Sequence, residues 1–200
     1  AIAPGPILAP PDTTDNELDL TVDTWGAAAQ IDQQHDLFWG FAENLLIGVD
    51  YLDNGIDEED FDRSKSTLGR LGKTVDSDST KESFGVFGKA TLSWIDRLGG
   101  YYGARYDEID FSNNDLVNTG NNVPSKISKW SHAFGFSYDA TERLALSAQY
   151  SRSFRAPTLA DLYSNPLFGG NPNLKPEEAS HYEVGAKWRG NGGWLVGWAV

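Results

Sequence analysis

Along most of the chain apolar and polar residues alternate one by one, the period of a β-strand whose two faces meet different surroundings. In a first segment, from Leu18 to Trp39, Trp25, Ala27, Ala29 and Ile31 share one face, and Gly26, Gln30, Asp32 and Gln34 the other. A second sets Leu45, Ile47, Val49 and Tyr51 against Gly48 and Asp50; a third sets Phe84, Val86, Ala90, Leu92 and Trp94 against Ser83, Gly85, Lys89, Thr91 and Ser93. Tyr102, Ala104 and Tyr106 then oppose Gly103, Arg105 and Asp107, and a fifth segment carries Phe134, Phe136 and Tyr138 on one face. Leu144, Leu146, Ala148 and Tyr150 oppose Ser147, Gln149 and Ser151, while Tyr182, Val184, Ala186 and Trp188 oppose His181, Glu183, Gly185 and Lys187. A glycine-rich turn over 189–193 opens an eighth segment, which runs to Val200. The pattern predicts an all-β meander of eight antiparallel strands.

Connections alternate in length. Tight turns are expected at 41–44, 96–99, 139–142 and 189–193, and long loops at about 53–80, 112–128 and 155–177. All long loops then leave one rim and all short turns the other, which is the topology of a transmembrane barrel with extracellular loops and periplasmic turns. Trp39, Trp94, Tyr102, Tyr138, Trp188 and Trp194 fall near the short-turn ends, where an interfacial aromatic belt belongs. In that arrangement the apolar faces meet lipid, and Arg105, Asp107, Gln149, His181 and Glu183 face a lumen. The other inward positions are small, Gly26, Gly48, Gly85, Gly103, Gly135 and Gly185 among them, as in the wall of a wide barrel. An eight-stranded barrel fills its interior with its own side chains. The expectation is therefore a piece of a larger barrel, residues 18–200, preceded by a Pro-rich loop or linker over 1–17.

Composition narrows the chemistry. A net charge of -13 argues against a nucleic-acid groove, which needs clustered Lys and Arg. The absence of cysteine removes disulfides, thiolate metal sites and cysteine nucleophiles. The longest apolar run, Leu45 to Val49, is too short for a transmembrane helix. An acidic run supplies Asp57, Glu59 and Asp60 as oxygen ligands for calcium, although it lacks EF-hand spacing and reads better as a solvated loop. No nucleophile and base pair, phosphate-cradling glycine loop or paired-carboxylate site is recognisable, so no enzyme activity and no cofactor are expected.

The most specific stretch is SFRAPTLADLYSNPLFGGNPNLKPEEASHYE, Ser153 to Glu183. Its prolines restrict the backbone, and its glycines and asparagines permit tight bends. Thr158 and Asp161 are spaced to cap a helical turn over TLADLY. The segments Phe154-Arg155-Ala156-Pro157 and Asn171-Pro172-Asn173-Leu174-Lys175-Pro176-Glu177 resemble the paired boxes of TonB-dependent outer-membrane receptors. The resemblance implies a 22-stranded barrel with a plug in the outer membrane of a Gram-negative bacterium. Such a barrel takes up a bulky nutrient such as a ferric siderophore, with energy from the TonB complex acting through the plug. The plug and energy-coupling box are missing from these residues.

Phe154, Arg155, Pro157, Tyr163, Phe168, Asn171, Asn173 and Glu177 are then the candidates for binding ligand or shaping the loop. Of these, Arg155 suits a carboxylate or phosphate, or an ion pair with Glu177 or Glu178, and Tyr163 and Phe168 offer flat rings. Folding of both boxes back over the lumen is the favoured role. Haem receptors of this family carry a histidine between the boxes; this chain has none there and His181 lies just beyond, which ranks haem below siderophore, cobalamin or oligosaccharide. A passive pore and a small structural barrel are the rivals from other classes.

Overall fold

The computed structural model describes residues 14–36, 41–65, 67, 69–94, 97–163, 170–190 and 195–200. The strands are β1 (Thr14–Asp36), β2 (Phe41–Ser64), β3 (Arg70–Trp94), β4 (Leu98–Asp115), β5 (Ser125–Thr141), β6 (Leu144–Arg155), β7 (Glu177–Arg189) and β8 (Leu195–Ala199). One short helix, α1 (Leu159–Tyr163), interrupts the β6–β7 connection. All eight strands form one sheet in chain order, each antiparallel to its sequence neighbours, and the sheet is open. No helix among the described residues is long and apolar enough to cross a membrane, which has no bearing on strands.

Several expected boundaries move. The residues anticipated as a tight connection, 41–44, lie inside β2, and 37–40, which join it to β1, lie outside the described residues. The loop anticipated over 53–80 is largely paired strand: β2 and β3 stay in register from Asp53↔Glu82 out to Arg63↔Arg70, with irregularities between Asp60 and Arg63. β1 extends alongside from Trp25↔Asp53 to Thr14↔Ser64. Polar residues on both faces read as loop in the sequence. The backbone ladder nevertheless continues into water, because its hydrogen bonds do not depend on an apolar face. Cross-strand ion pairs join Arg70 to Glu17 at 2.6 Å and to Asp19 at 2.8 Å, and Lys73 to Glu59 at 2.8 Å. The 112–128 loop likewise shrinks, since β4 reaches Asp115 and β5 starts at Ser125.

Below the extension the alternation holds. Ile47, Val49, Phe84, Val86, Leu92, Tyr102, Phe134, Phe136, Leu146 and Val184 are exposed on the lipid-facing side. Rings cluster at the upper margin, with Trp25 against Tyr51 at 5.0 Å and Tyr106 against Trp130 at 5.2 Å. At the lower margin Trp94 pairs with Leu98 and Leu98 with Tyr138, and Trp188 lies on β7 opposite Leu144. Trp39 and Trp194 lie outside the described residues. From Trp130 to Tyr138, or Phe84 to Trp94, the span is roughly the 9–11 residues a tilted strand needs to cross a bilayer.

On the other face, several glycines expected to mark an open wall are covered. A Cβ on Gly48 would lie 2.3 Å from Phe87 Cζ, one on Gly85 2.1 Å from Arg105 Nη2, and one on Gly135 2.5 Å from Tyr101 Cε1. Each large inward side chain thus lies flat across a glycine of the next strand. Gly85→Val is expected to push Arg105 off its carboxylate partner and to destabilise the full-length barrel by about 1–3 kcal/mol, the usual range for overpacking. A denaturant midpoint in detergent equal to that of the parent would contradict this account.

Candidate functional site

The one buried apolar cluster of the described residues sits where the long connections leave the sheet. Ile109 and Phe111 of β4 and Ile127 of β5 meet Leu159, Leu162 and Tyr163 of α1, with Ile56, Phe154 and Ala156 packed alongside. Ile109 and Phe111 share the parity of Arg105 and Asp107, so α1 lies over the lumen side of the wall. The stretch from Phe154 to Tyr163 therefore folds back across the rim, and residues 164–169 lie outside the described residues.

Its shape is fixed by local hydrogen bonds. The Thr158 N–H donates to Asp161 Oδ2 at 2.8 Å, and the Asp161 N–H donates to Thr158 Oγ1 at 3.1 Å, the reciprocal capping box read from the spacing. Hydrogen bonds to its carboxyl from the Thr158 N–H, and then from the Thr158 hydroxyl, hold Asp161 below the usual range. The Asn171 N–H donates to the Asp161 carbonyl at 3.0 Å, tying the second box to the helix. Asn171 Oδ1 in turn accepts from the Asn173 N–H at 3.0 Å. Tyr163 is 7% exposed and its hydroxyl donates to the Val123 carbonyl at 2.9 Å, so its ring is part of the cluster and offers no open surface to a ligand. Pro157 is buried and Phe154 half-buried. Phe168 lies outside the described residues.

Arg155 remains open to the rim, with its nearest carboxylate, Glu177, 4.0 Å away. Glu178 is taken instead by Lys129 and Arg152, which donate to its two oxygens and join β5, β6 and β7. Asn173, Leu174 and Lys175 are also exposed.

Beneath the roof runs a polar wall. Arg105 donates to Asp50 through Nη1 at 2.6 Å and Nη2 at 2.8 Å, and to Asp107 through Nε at 2.7 Å. Tyr101 donates to Gln149 at 3.1 Å, and His181 Nε2 lies 3.5 Å from Glu183. A hollow of about 310 Å³ opens there, with Thr91, Ser93, Tyr101, Ser137, Gln149 and Glu183 among its lining residues.

The calcium candidates do not converge. Alternation puts Asp60 on the face opposite Asp57 and Glu59, and Glu59 is engaged by Lys73. Among the described residues no three acidic, histidine or cysteine side chains gather to hold a metal ion. Sequence reasoning missed the roof's floor and the Glu178 clamp. Ile109, Phe111 and Ile127 were legible as apolar residues on an otherwise polar parity, which marks a covered patch.

The class of protein follows from an open antiparallel meander with a lipid-facing apolar band, a polar inner wall and a roofed rim. A sequence profile for the β-barrel of TonB-dependent-receptor-like proteins matches residues 3–199, and the chain belongs to that family. Its members are β-barrels of the Gram-negative outer membrane, and this chain is a segment of such a barrel.

Among curated relatives, hemoglobin-haptoglobin utilization protein B of Neisseria meningitidis serogroup A is 29% identical over 195 residues, covering 90% of this chain and 23% of that protein. The ferric enterobactin receptor of Pseudomonas aeruginosa is 24% identical over 177 residues, covering 78% and 22%. The vitamin B12 transporter BtuB of Photobacterium profundum is 49% identical, but over 47 residues, 24% of this chain and 7% of that one. Of solved structures, the Serratia marcescens hemophore receptor HasR, in complex with its hemophore and heme, superposes with TM-score 0.72 at 17% identity, covering 91% of this chain and 33% of that one. The unliganded ferric citrate transporter FecA gives TM-score 0.69 at 16% identity, with 88% and 26% covered. The chain thus spans less than a quarter of those curated relatives' length.

Two outcomes test the site's construction. Leu162, at 1% exposure, anchors the roof. Leu162→Ala in the full-length protein should release it, at about 2–5 kcal/mol of local stability, and make the Arg155–Ala156 bond susceptible to trypsin while the barrel stays heat-modifiable. Unchanged cleavage would mean that the cluster does not hold the loop.

Glu178 supplies a pH dependence. Its hydrogen bonds to Lys129 and Arg152, then their charges, push its carboxyl from 4.5 down to about 2. A depressed carboxyl stabilises the folded form above its unfolded pKa, and that contribution fades as pH falls from about 4.5 to about 2. Amide protection factors at the β6–β7 rim, taken relative to intrinsic exchange at each pH, should fall across that window in the parent and show no such step in Glu178→Gln.

Proposed function

We propose that the parent protein binds a bulky nutrient, a ferric siderophore being the first choice, at the roofed rim and imports it with TonB-derived energy through a plug carried elsewhere in its chain. The observation that carries this reading is the match to the receptor barrel over residues 3–199. The names of its relatives, an enterobactin receptor, a vitamin B12 transporter and a hemoglobin-haptoglobin utilization protein, support receptor-mediated uptake. The steps are binding, release and conformational change, without covalent chemistry.

Arg155 is the group best suited to an anionic cargo: it is exposed, ends β6, and is only loosely matched by Glu177. Asn173 and Lys175 of the second box are likewise exposed. Tyr163 and Asn171 act at a distance, by holding the loop's shape. The lumen-facing residues Arg105, Asp107, Gln149, His181 and Glu183 form the wall past which cargo moves.

Uptake of a panel of radiolabelled ferric siderophores by cells making the full-length receptor tests the reading. Accumulation should require TonB and fall about tenfold or more in Arg155→Ala, the loss of a charge-assisted contact. Uptake that persists after TonB depletion, with steady open steps in planar bilayers, would make the protein a passive pore.

Haem carried by a host protein is the second reading, favoured by the relative that covers 90% of the chain. It would draw on His181 of the lumen wall, because no histidine lies between the boxes. A haem Soret shift lost in His181→Ala would establish it over the siderophore reading.

A further inference from the structure

The lipid-facing side of the sheet is uneven across β5, β6 and β7. Phe134 lies 6.3 Å from Phe136 and 5.3 Å from Tyr150, and Tyr150 lies 4.8 Å from Tyr182, so rings of all three strands form one connected set. Register explains the relief. Phe134, Tyr150 and Tyr182 stand side by side in one ladder row, and Phe136, Ala148 and Val184 in the next. Rings fill the first row, whereas the middle position of the second carries only the methyl group of Ala148. A hollow of about 430 Å³ is left there, lined by Phe134, Phe136, Ala148, Tyr150, Tyr182 and Val184. Gln149 and Glu183 complete the lining, although alternation assigns their side chains to the lumen side.

Position restricts the occupant. The outward residues of the hollow lie between Trp130 at the upper margin and Tyr138 and Trp188 at the lower, so hydrocarbon rather than water meets them. Lipid tails are as apolar as the hollow, and burial alone therefore gives no preference; a chain is retained only by packing. Stiff rings on either side of a small floor supply that packing. A second feature gives the occupant a polar part. The hydroxyls of Tyr150 and Tyr182 have no hydrogen-bond partner among the described residues, although a phenol O–H in apolar surroundings usually finds one. Hydrocarbon offers no acceptor, but the ester carbonyls at the head of an acyl chain do. Arg152, the next outward residue of β6, is already engaged by Glu178, so the headgroup is not selected by charge. We propose that this hollow is a resident-lipid site: one acyl chain of a glycerophospholipid lies over Ala148 between Phe136 and Val184, and its ester carbonyls accept hydrogen bonds from Tyr150 and Tyr182.

The test uses the full-length receptor, delipidated in detergent, shown to be folded by heat modifiability, and titrated with dipalmitoyl phosphatidylcholine under native mass spectrometry. The parent should hold one lipid more tightly than any further ones. Ala148→Phe fills the hollow and should weaken that retention about tenfold or more, because the chain forfeits its packing contacts. Val86→Phe, an added ring elsewhere on the exposed lipid-facing side, should leave it unchanged. Joint Tyr150→Phe and Tyr182→Phe keeps both rings and should weaken retention about threefold or more through the lost hydrogen bonds. The ether-linked lipid of the same chain length, which lacks ester carbonyls, should bind the parent as weakly as the ester lipid binds that double variant. Retention unaltered by Ala148→Phe, or reduced equally by Val86→Phe, would overturn the proposal, and equal retention of ester and ether lipids would overturn the part given to the tyrosine hydroxyls. A receptor dimer that Ala148→Phe dissociates would also overturn it, by assigning the hollow to a second copy of the chain.

Discussion

The backbone ladder is the constraint on which everything else here depends. Inside a bilayer no water is present to satisfy an N–H or a carbonyl, so a strand is tolerated only when its neighbours on both sides take up its hydrogen bonds. An antiparallel meander in which β1 to β8 pair strictly in order meets that demand along the chain, with the shortest connections the fold permits. Because the ladder supplies cohesion, side chains need not form a central apolar core. One face can be given to lipid and the other to a polar lumen. The same ladder explains why β1, β2 and β3 can leave the membrane and remain strands over residues that are polar on both faces.

Freed from core packing, the inner wall is organised by reach. Arg105 crosses Gly85 to grip Asp50 bidentately and folds back onto Asp107, leaving the local cluster with one net negative charge. Phe87 and Tyr101 lie over Gly48 and Gly135 in the same way. A glycine beneath a long side chain lets that side chain lie along the wall, so the lumen keeps its width without losing contact area. Where the wall ends, apolar residues return to the inner parity at Ile109, Phe111 and Ile127, and they provide the floor on which α1 is seated. The roof is therefore part of the folded body, positioned before any ligand arrives, and its exposed groups such as Arg155 are presented at a fixed place.

Charge follows the same division into rims. The acidic extension faces the side of long connections, and Arg97, Arg143 and Arg189 face the side of tight turns. A chain of net charge -13 that gathers arginines beside its lower aromatic belt has a polarity along the membrane normal. Net charge alone conceals this, since it sums over both rims.

Much of this was determined by the sequence by itself. Period-2 alternation is a one-dimensional property, so strand number, the identity of the lipid face and the inward parity of Arg105, Asp107, Gln149, His181 and Glu183 could be read directly. The Thr158 and Asp161 cap was equally legible, because its partners are three residues apart. Only the tertiary structure decided that Tyr163 is a buried anchor, that Glu178 belongs to Lys129 and Arg152, that Asp57, Glu59 and Asp60 do not converge, and that most of 53–80 is paired strand. Each of those outcomes depends on which residue of a neighbouring strand stands opposite. That register is set by backbone hydrogen bonds between segments far apart in the chain, and residue-by-residue polarity carries no record of it.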